Sequence, residues 1–166
     1  PVDLNNDGNL DFVTPRARFG EEINWYQGDG MNPPTFTKSN IGPFTYLNGS
    51  LVAADLDGDG DQDFAFTFPR PLAYGWFTGW LENDGNNPPG FTRQLIDSGS
   101  DQNSYAYAGH SGLDVADING DGALDIVVTA LSNTVDSVTW FQNNGVTDPS
   151  FAKHVIDPSL PLNNAE

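Results

Sequence analysis

Residues 55–65 read DLDGDGDQDFA, and the same pattern occurs as DLNNDGNLDFV at residues 3–13 and as DINGDGALDIV at residues 117–127. A Trp motif follows each copy: WYQGDG from Trp25, WLENDG from Trp80 and WFQNNG from Trp140. A Phe motif begins 11 residues after each Trp: FTKSNI from Phe36, FTRQLI from Phe91 and FAKHVI from Phe151. Fixed spacing of this kind marks one structural unit used several times. The chain is therefore an array of three repeats.

Each repeat carries strand signals and no sustained helical period. Short β-branched or aromatic segments bounded by Gly and Asp, such as LDIVVTA at residues 124–130, indicate strands. SLVAA at residues 50–54 and GLDVA at residues 112–116 predict a further strand before the Asp motif, and the Phe motifs alternate as half-buried edge strands do. The prediction is an all-β fold of four-stranded β-propeller blades, with repeats of about 52–62 residues.

The repeat spacing predicts blade boundaries and an incomplete ring. We expect blade 1 at residues 1–42, lacking its first strand, blade 2 at 43–97, blade 3 at 98–157 and a tail at 158–166. Joining the tail to the head preserves the repeat period, so the tail is a possible first strand of a following blade. Because known propellers need at least four blades, we expect self-association or the continuation of a longer chain.

The Asp motifs predict metal sites, because each places oxygen side chains at positions 1, 3, 5 and 9 and glycine at position 6. Oxygen donors without Cys or His suit a hard cation, and a flexible loop favours Ca²⁺ over Mg²⁺. We predict about three Ca²⁺ ions, with position 7 contributing its backbone carbonyl. The predicted ligands are Asp3, Asn5, Asp7, Asn9 and Asp11; Asp55, Asp57, Asp59, Asp61 and Asp63; and Asp117, Asn119, Asp121, Ala123 and Asp125.

Two alternatives compete with the metal-site interpretation of these motifs. An EF-hand is excluded, because no Glu stands at position 12 and no flanking helices are predicted. Three Asp/Gly-rich turns that hold no metal are the other alternative. If metal binds, the repulsion among the carboxylates of the motif from Asp55 makes that loop the one expected to bind most tightly.

The motifs together resemble the FG-GAP/VCBS repeat: DxDxDGxxD between short apolar strands, then WxxNDG and FxxHxI. The resemblance covers nearly the whole chain, although no Gly-Ala-Pro occurs and Phe19-Gly20 is the one Phe-Gly pair. It implies blades of calcium-binding propellers, as in the heads of integrin α subunits and in many bacterial surface and secreted proteins. It also implies structural calcium in an interaction or carbohydrate-related context, and it implies no reaction.

Composition narrows the function classes further. Acidic residues number 23 against 6 basic ones, giving a net charge of -17, so a nucleic-acid or anionic-membrane partner is not expected. No apolar run approaches the roughly 18 residues of a membrane span. We expect a calcium-binding structural or interaction module, secreted or on the cell surface, because extracellular calcium is plentiful enough to fill even weak sites. The protein or glycan that it contacts is not indicated.

Aromatic residues offer the competing function, a carbohydrate-binding propeller that acts alone or is attached to a polysaccharide-degrading enzyme. Trp25, Trp80 and Trp140 stand in identical register, which favours packing between blades over sugar stacking. The candidate ligand contacts in the variable segments are Trp76, Tyr105, Tyr107 and His110. No nucleophile elbow, phosphate loop or isolated carboxylate pair occurs, so we expect no enzymatic activity.

Overall fold

The computed structural model describes residues 1–14, 23–42, 49–69, 76–97, 112–130 and 136–160. Across these ranges the chain forms eleven strands and no helix. The first sheet contains β1 (Phe12–Thr14), β2 (Asn24–Gly28) and β3 (Phe36–Asn40). The second contains β4 (Leu51–Ala54), β5 (Asp63–Pro69), β6 (Trp76–Asn83) and β7 (Phe91–Asp97), and the third contains β8 (Leu113–Ala116), β9 (Asp125–Ala130), β10 (Asp136–Asn143) and β11 (Phe151–Leu160).

Each sheet is an antiparallel meander in which sequence neighbours pair. Ala54 pairs with Asp63 in the second sheet and Ala116 pairs with Asp125 in the third. In the first sheet an isolated bridge joins Val2 to Asp11 at the same register position. The all-β fold and the threefold repeat are confirmed, and the sheets of the described ranges form no closed ring.

The Phe motifs form edge strands, as predicted, but their residues do not alternate between buried and exposed. Every residue of β3 is exposed, and so are residues 92–95 of β7 and 152–156 of β11. The prediction of half-buried strands is therefore wrong, because each strand lies at the outer edge of its sheet, where both faces are open to solvent. In the third sheet β11 continues past residue 157, and Leu160 still pairs with Asp136. The first three residues of the predicted tail are thus part of β11.

Two apolar cores lie between the sheets. The first joins Leu4, Ile23, Trp25 and Ile41 of the first repeat to Phe64, Phe66, Phe68 and Leu81 of the second. The second joins Ala54, Leu56, Ala65 and Trp80 of the second repeat to Ile126, Val128 and Phe141 of the third. Because side chains alternate between the faces of a strand, the second sheet contributes one face to each core.

None of the structurally described segments forms a helix long and apolar enough to cross a membrane.

Candidate metal centres

The three Asp motifs lie at the same place in each repeat, and we call them loop 1 (residues 3–11), loop 2 (residues 55–63) and loop 3 (residues 117–125). Loop 2 connects β4 to β5 and loop 3 connects β8 to β9, while loop 1 leads into β1. The last residue of loops 2 and 3 is the first residue of the following strand. Each loop is therefore anchored to the sheet that it precedes.

The carboxylate at position 1 closes each loop. Asp55 accepts the backbone N–H of Gly58 at 2.8 Å and that of Gly60 at 3.1 Å. Asp117 accepts the equivalent N–H groups of Gly120 and Gly122 at 2.8 and 3.0 Å. These glycines have φ between 75° and 98°, which is the left-handed region that glycine adopts without steric cost.

Loop 1 places Asn6 where the other two loops have glycine, with φ of 55°. Asn tolerates this region better than most residues, so the fold of the loop is kept. The Asn6 side chain also donates to Asp61 Oδ1 at 2.6 Å. Loops 1 and 2 are therefore in direct contact.

The carboxylate at position 9 joins each loop to the strand that pairs with the one following the loop. Asp63 accepts the N–H of Leu56 at 2.9 Å and the N–H of Asn83, in β6, at 2.8 Å. Asp11 and Asp125 make the same pair of contacts in their own repeats. All three carboxylates are buried. Burial raises the pKa of Asp63 to about 7.

Loop 2 brings three carboxylates together. One oxygen each from Asp55, Asp57 and Asp63 lies within 4.8 Å of the other two. Burial, followed by repulsion from Asp59 and Asp55, raises the pKa of Asp57. A second anion close by disfavours ionisation, so this loop carries unfavourable electrostatic energy that a cation would relieve.

Loops 1 and 3 replace the position 3 carboxylate with an amide that also supports position 5. Asn119 Nδ2 donates to Asp121 Oδ2 at 2.7 Å, and Asn5 Nδ2 donates to Asp7 Oδ2 at 3.1 Å. The Gln27 side chain and then the backbone N–H of Asn9 lower the pKa of Asp7. Hydrogen bonds from the N–H of Ala123 and the Asn119 amide lower that of Asp121.

One shielded amide oxygen in loop 1 has no hydrogen-bond partner among the residues that the structure describes. It is Asn5 Oδ1. A buried acceptor without a partner is costly, and a cation would satisfy it. Asn5 was predicted as a ligand, and its geometry fits that role. The backbone-carbonyl role of Asn9, Asp61 and Ala123 at position 7 stays a prediction.

Two asparagines tie neighbouring repeats together, and the sequence analysis did not single them out. Asn83 Nδ2 donates to the carbonyls of Leu4 at 3.3 Å and Gln62 at 3.1 Å. Asn143 Nδ2 donates to the equivalent carbonyls of Leu56 at 2.7 Å and Leu124 at 3.1 Å. The signal was present in the Trp motifs, because the third residue after Trp is Asn in WLEN and WFQN but Gly28 in WYQG.

The predicted aromatic sites have mixed outcomes. Trp25 and Trp80 are buried in the two cores, so the prediction of packing between repeats is confirmed for them. Trp140 is half-buried, and its shielded Nε1 has no hydrogen-bond partner within the described ranges. Trp76 is the first residue of β6. Tyr105, Tyr107 and His110 lie outside the described residues.

Comparison with known families gives one match. Residues 3–66 match the family model described as FG-GAP-like repeat. The matched range contains loops 1 and 2 and the strands of the first sheet, so this part of the chain carries an FG-GAP-like repeat. Searches of curated proteins and of solved structures find no significant match.

Proposed function

We propose that the chain is a calcium-binding β-propeller repeat module with a structural and interaction role, secreted or on the cell surface. The observation that carries the proposal is the convergence of Asp55, Asp57 and Asp63 within 4.8 Å in loop 2. Loops 1 and 3 repeat the same ligand positions in register. The FG-GAP-like match over residues 3–66 supports a repeat module of the kind that serves protein interaction.

The donor set fits calcium. Every predicted side-chain ligand is a carboxylate or an amide oxygen, and calcium takes six to eight oxygen ligands. In each position 1 and position 9 carboxylate at least one oxygen accepts a single hydrogen bond from the described residues and so keeps a second lone pair, although Asp11 Oδ2 accepts two, from Leu4 N and Trp25 Nε1. Asn5 Oδ1, which has no hydrogen-bond partner among the described residues, adds a further oxygen.

Calcium in these loops would act on the fold rather than on a reaction. In loop 2, Asp55 follows β4 and Asp63 begins β5, so a shared cation would join the two strands at their turn. It would also neutralise carboxylates that repel each other. Ligands that bind only the folded state stabilise it, which is why the proposal assigns the metal a structural role and the chain no catalytic one.

The same chemistry supports the proposed extracellular location. Flexible, exposed oxygen sites of this kind have modest affinity, and millimolar extracellular calcium keeps such sites filled. The carbohydrate-binding alternative gains no support from Trp25 and Trp80, because both are buried and present no ring to a sugar.

Thermal unfolding with and without a calcium chelator tests the proposal. We expect calcium to raise the melting temperature strongly, since a ligand at 100 times its Kd adds about 2.7 kcal/mol per site. Magnesium at the same concentration serves as the control for ionic strength. A melting temperature that is the same in chelator and in calcium would contradict the proposal.

Exchanging the position 3 residues tests the order of affinities. Asp57→Asn gives loop 2 the residue of loops 1 and 3, and we expect its affinity to fall on the order of tenfold through the loss of one ligand charge. Asn119→Asp should raise the affinity of loop 3 in return. Calorimetric titration measures both, with Asp114→Asn, an exposed carboxylate outside the loops, as the matched control.

A further inference from the structure

Residues at equivalent positions of the three repeats differ in burial, and the difference depends on which neighbouring repeat they face. We call the face of a sheet that points to the next repeat its forward face, and the face that points to the preceding repeat its rear face. On the forward face, Leu4 and Leu56 are 1% and 2% exposed, whereas Ile118 at the same position is 44% exposed. Ile41 is buried and Ile96 packs against the second core, whereas the equivalent Ile156 is 59% exposed.

The aromatic position of the forward face follows the same trend. Trp25 and Trp80 are buried, and Trp140 is only half-buried. The ring of Trp140 stacks on exposed His154 with centroids 4.7 Å apart. The forward face of the third sheet thus exposes side chains at positions that are buried in the first and second sheets. No described sheet packs against this face.

The rear face of the first sheet is also exposed where the other two sheets are buried. Phe64 and Ile126, on the rear faces of the second and third sheets, are 2% and 0% exposed. The equivalent Phe12 is 42% exposed, and its ring packs against that of Phe36, itself 40% exposed, in a tilted arrangement with centroids 4.9 Å apart. An aromatic pair of this size is normally covered.

We propose that the exposed forward face of the third sheet binds the exposed rear face of the first sheet in a second copy of this chain. Both faces belong to one molecule, and each repeats the chemistry of a junction that the chain makes twice internally. Such a contact is heterologous, joining different surfaces of the two copies. The proposal names the partner for the interaction role proposed above, yet it rests on apolar faces rather than on metal binding.

Charge complementarity points to the same partner. At the junction between the second and third sheets, Lys153 forms an ion pair with Asp97 at 2.5 Å. Lys38 occupies the position of Lys153 in the first repeat, and Asp157 occupies the position of Asp97 in the third. The sequence therefore provides the same pair of residue types for a junction between copies.

The junction between copies is expected to be weaker than the internal ones. The side chains of Asn83 and Asn143 donate across the internal junctions, but Gly28 stands at their position in the first repeat and has no side-chain amide to donate. Thr14 stands where the second repeat buries Phe66. We therefore expect association that increases with protein concentration.

Sedimentation and native mass measurements in calcium test this inference. Wild-type protein should form species of two or more 17.9 kDa chains. Ile156→Glu damages only the forward face and Phe36→Glu only the rear face, so each variant alone should be a monomer. Mixed together, with one variant isotopically labelled, they should form a two-chain species, because one undamaged junction remains.

A matched control separates this effect from a general effect of added charge. Val155 is 53% exposed, and it pairs with Thr139 whereas His154 pairs with Trp140, so Val155 and His154 lie on opposite faces of β11. Val155→Glu should associate as the wild type does. Unchanged melting curves should show that all three variants remain folded.

Three results would overturn the inference. The first is wild-type protein that stays at 17.9 kDa at every concentration. The second is Phe36→Glu protein that still associates, which would indicate that forward faces pair with each other. The third is a mixture of the two variants that stays monomeric. Failure of the calcium proposal would appear as equal melting temperatures in chelator and in calcium, whereas failure of this inference would appear in the measured mass. The two failures are therefore distinguishable.

Discussion

Asp63 has two roles that conflict when no cation is present. Its carboxylate receives the N–H groups of Leu56 and Asn83 and so fixes the loop to β6. The same burial raises its pKa to about 7 from 3.8. The folded state without metal therefore holds a proton on this group that the unfolded state has already released above about pH 4.

This pKa shift predicts that the stability of the protein in chelator decreases as pH rises. Because the folded state binds more protons, the contribution of Asp63 to the free energy of unfolding falls as pH rises from about 4 to 7. We expect the melting temperature in chelator to be lower at pH 7.5 than at pH 5.5. In calcium the order should reverse, since protons compete with the metal for the carboxylate.

Asp63→Asn is the variant that isolates the effect. It keeps an oxygen acceptor for one N–H but no longer titrates, so its melting temperature in chelator should depend less on pH. A variant with the full wild-type dependence would show that the effect arises elsewhere, for example at Asp57, whose pKa burial also raises.

At the scale of elements, the ties between sheets depend on single amides. Asn143 is buried, and its Nδ2 bonds the carbonyls of Leu56 and Leu124. Asn143→Ala leaves both carbonyls without this donor and should lower the free energy of unfolding by about 1–3 kcal/mol. Urea unfolding measures the loss.

Gln142→Ala is the matched control for that prediction, since the Gln142 side chain contacts His154 at the surface. It should change the stability by less than about 0.5 kcal/mol. Equal losses for the two variants would contradict the role assigned to Asn143.

The strands and the carboxylate cluster were predictable from the sequence because their signals are local. LDIVVTA is a short segment rich in β-branched residues, and its residues 125–130 form β9; the DxDxDG spacing singled out Asp55 and Asp57, which lie close together in loop 2. The full exposure of β3 was not predictable, because it depends on how far the apolar core reaches toward the edge strand. Likewise, the partner of Asn143 lies 87 residues away, and no local pattern encodes that contact.

For the whole molecule, electrostatic repulsion is the main force that calcium would offset. Three bound calcium ions would bring the net charge of -17 to about -11. Added salt screens the remaining repulsion over a Debye length of about 10 Å at 0.1 M.

Salt should therefore stabilise the protein in chelator more than the protein in calcium. We expect the melting temperature to rise between low and moderate sodium chloride in chelator, and to rise by a smaller amount in calcium. Sodium chloride is the appropriate salt, because sulfate also strengthens apolar burial. If sodium chloride raises the melting temperature equally in chelator and in calcium, the repulsion that it screens lies outside the three loops.

The contacts of Asn83 join loop 2 to loop 1, so under the calcium proposal they would link the occupancy of one loop to that of the next. Its backbone N–H holds Asp63 of loop 2, and its side chain holds the Leu4 carbonyl of loop 1. Asn143 joins loop 3 to loop 2 in the same manner. An ion that orders one loop thereby prepares its neighbour, so the three sites should fill cooperatively, with a Hill coefficient above one.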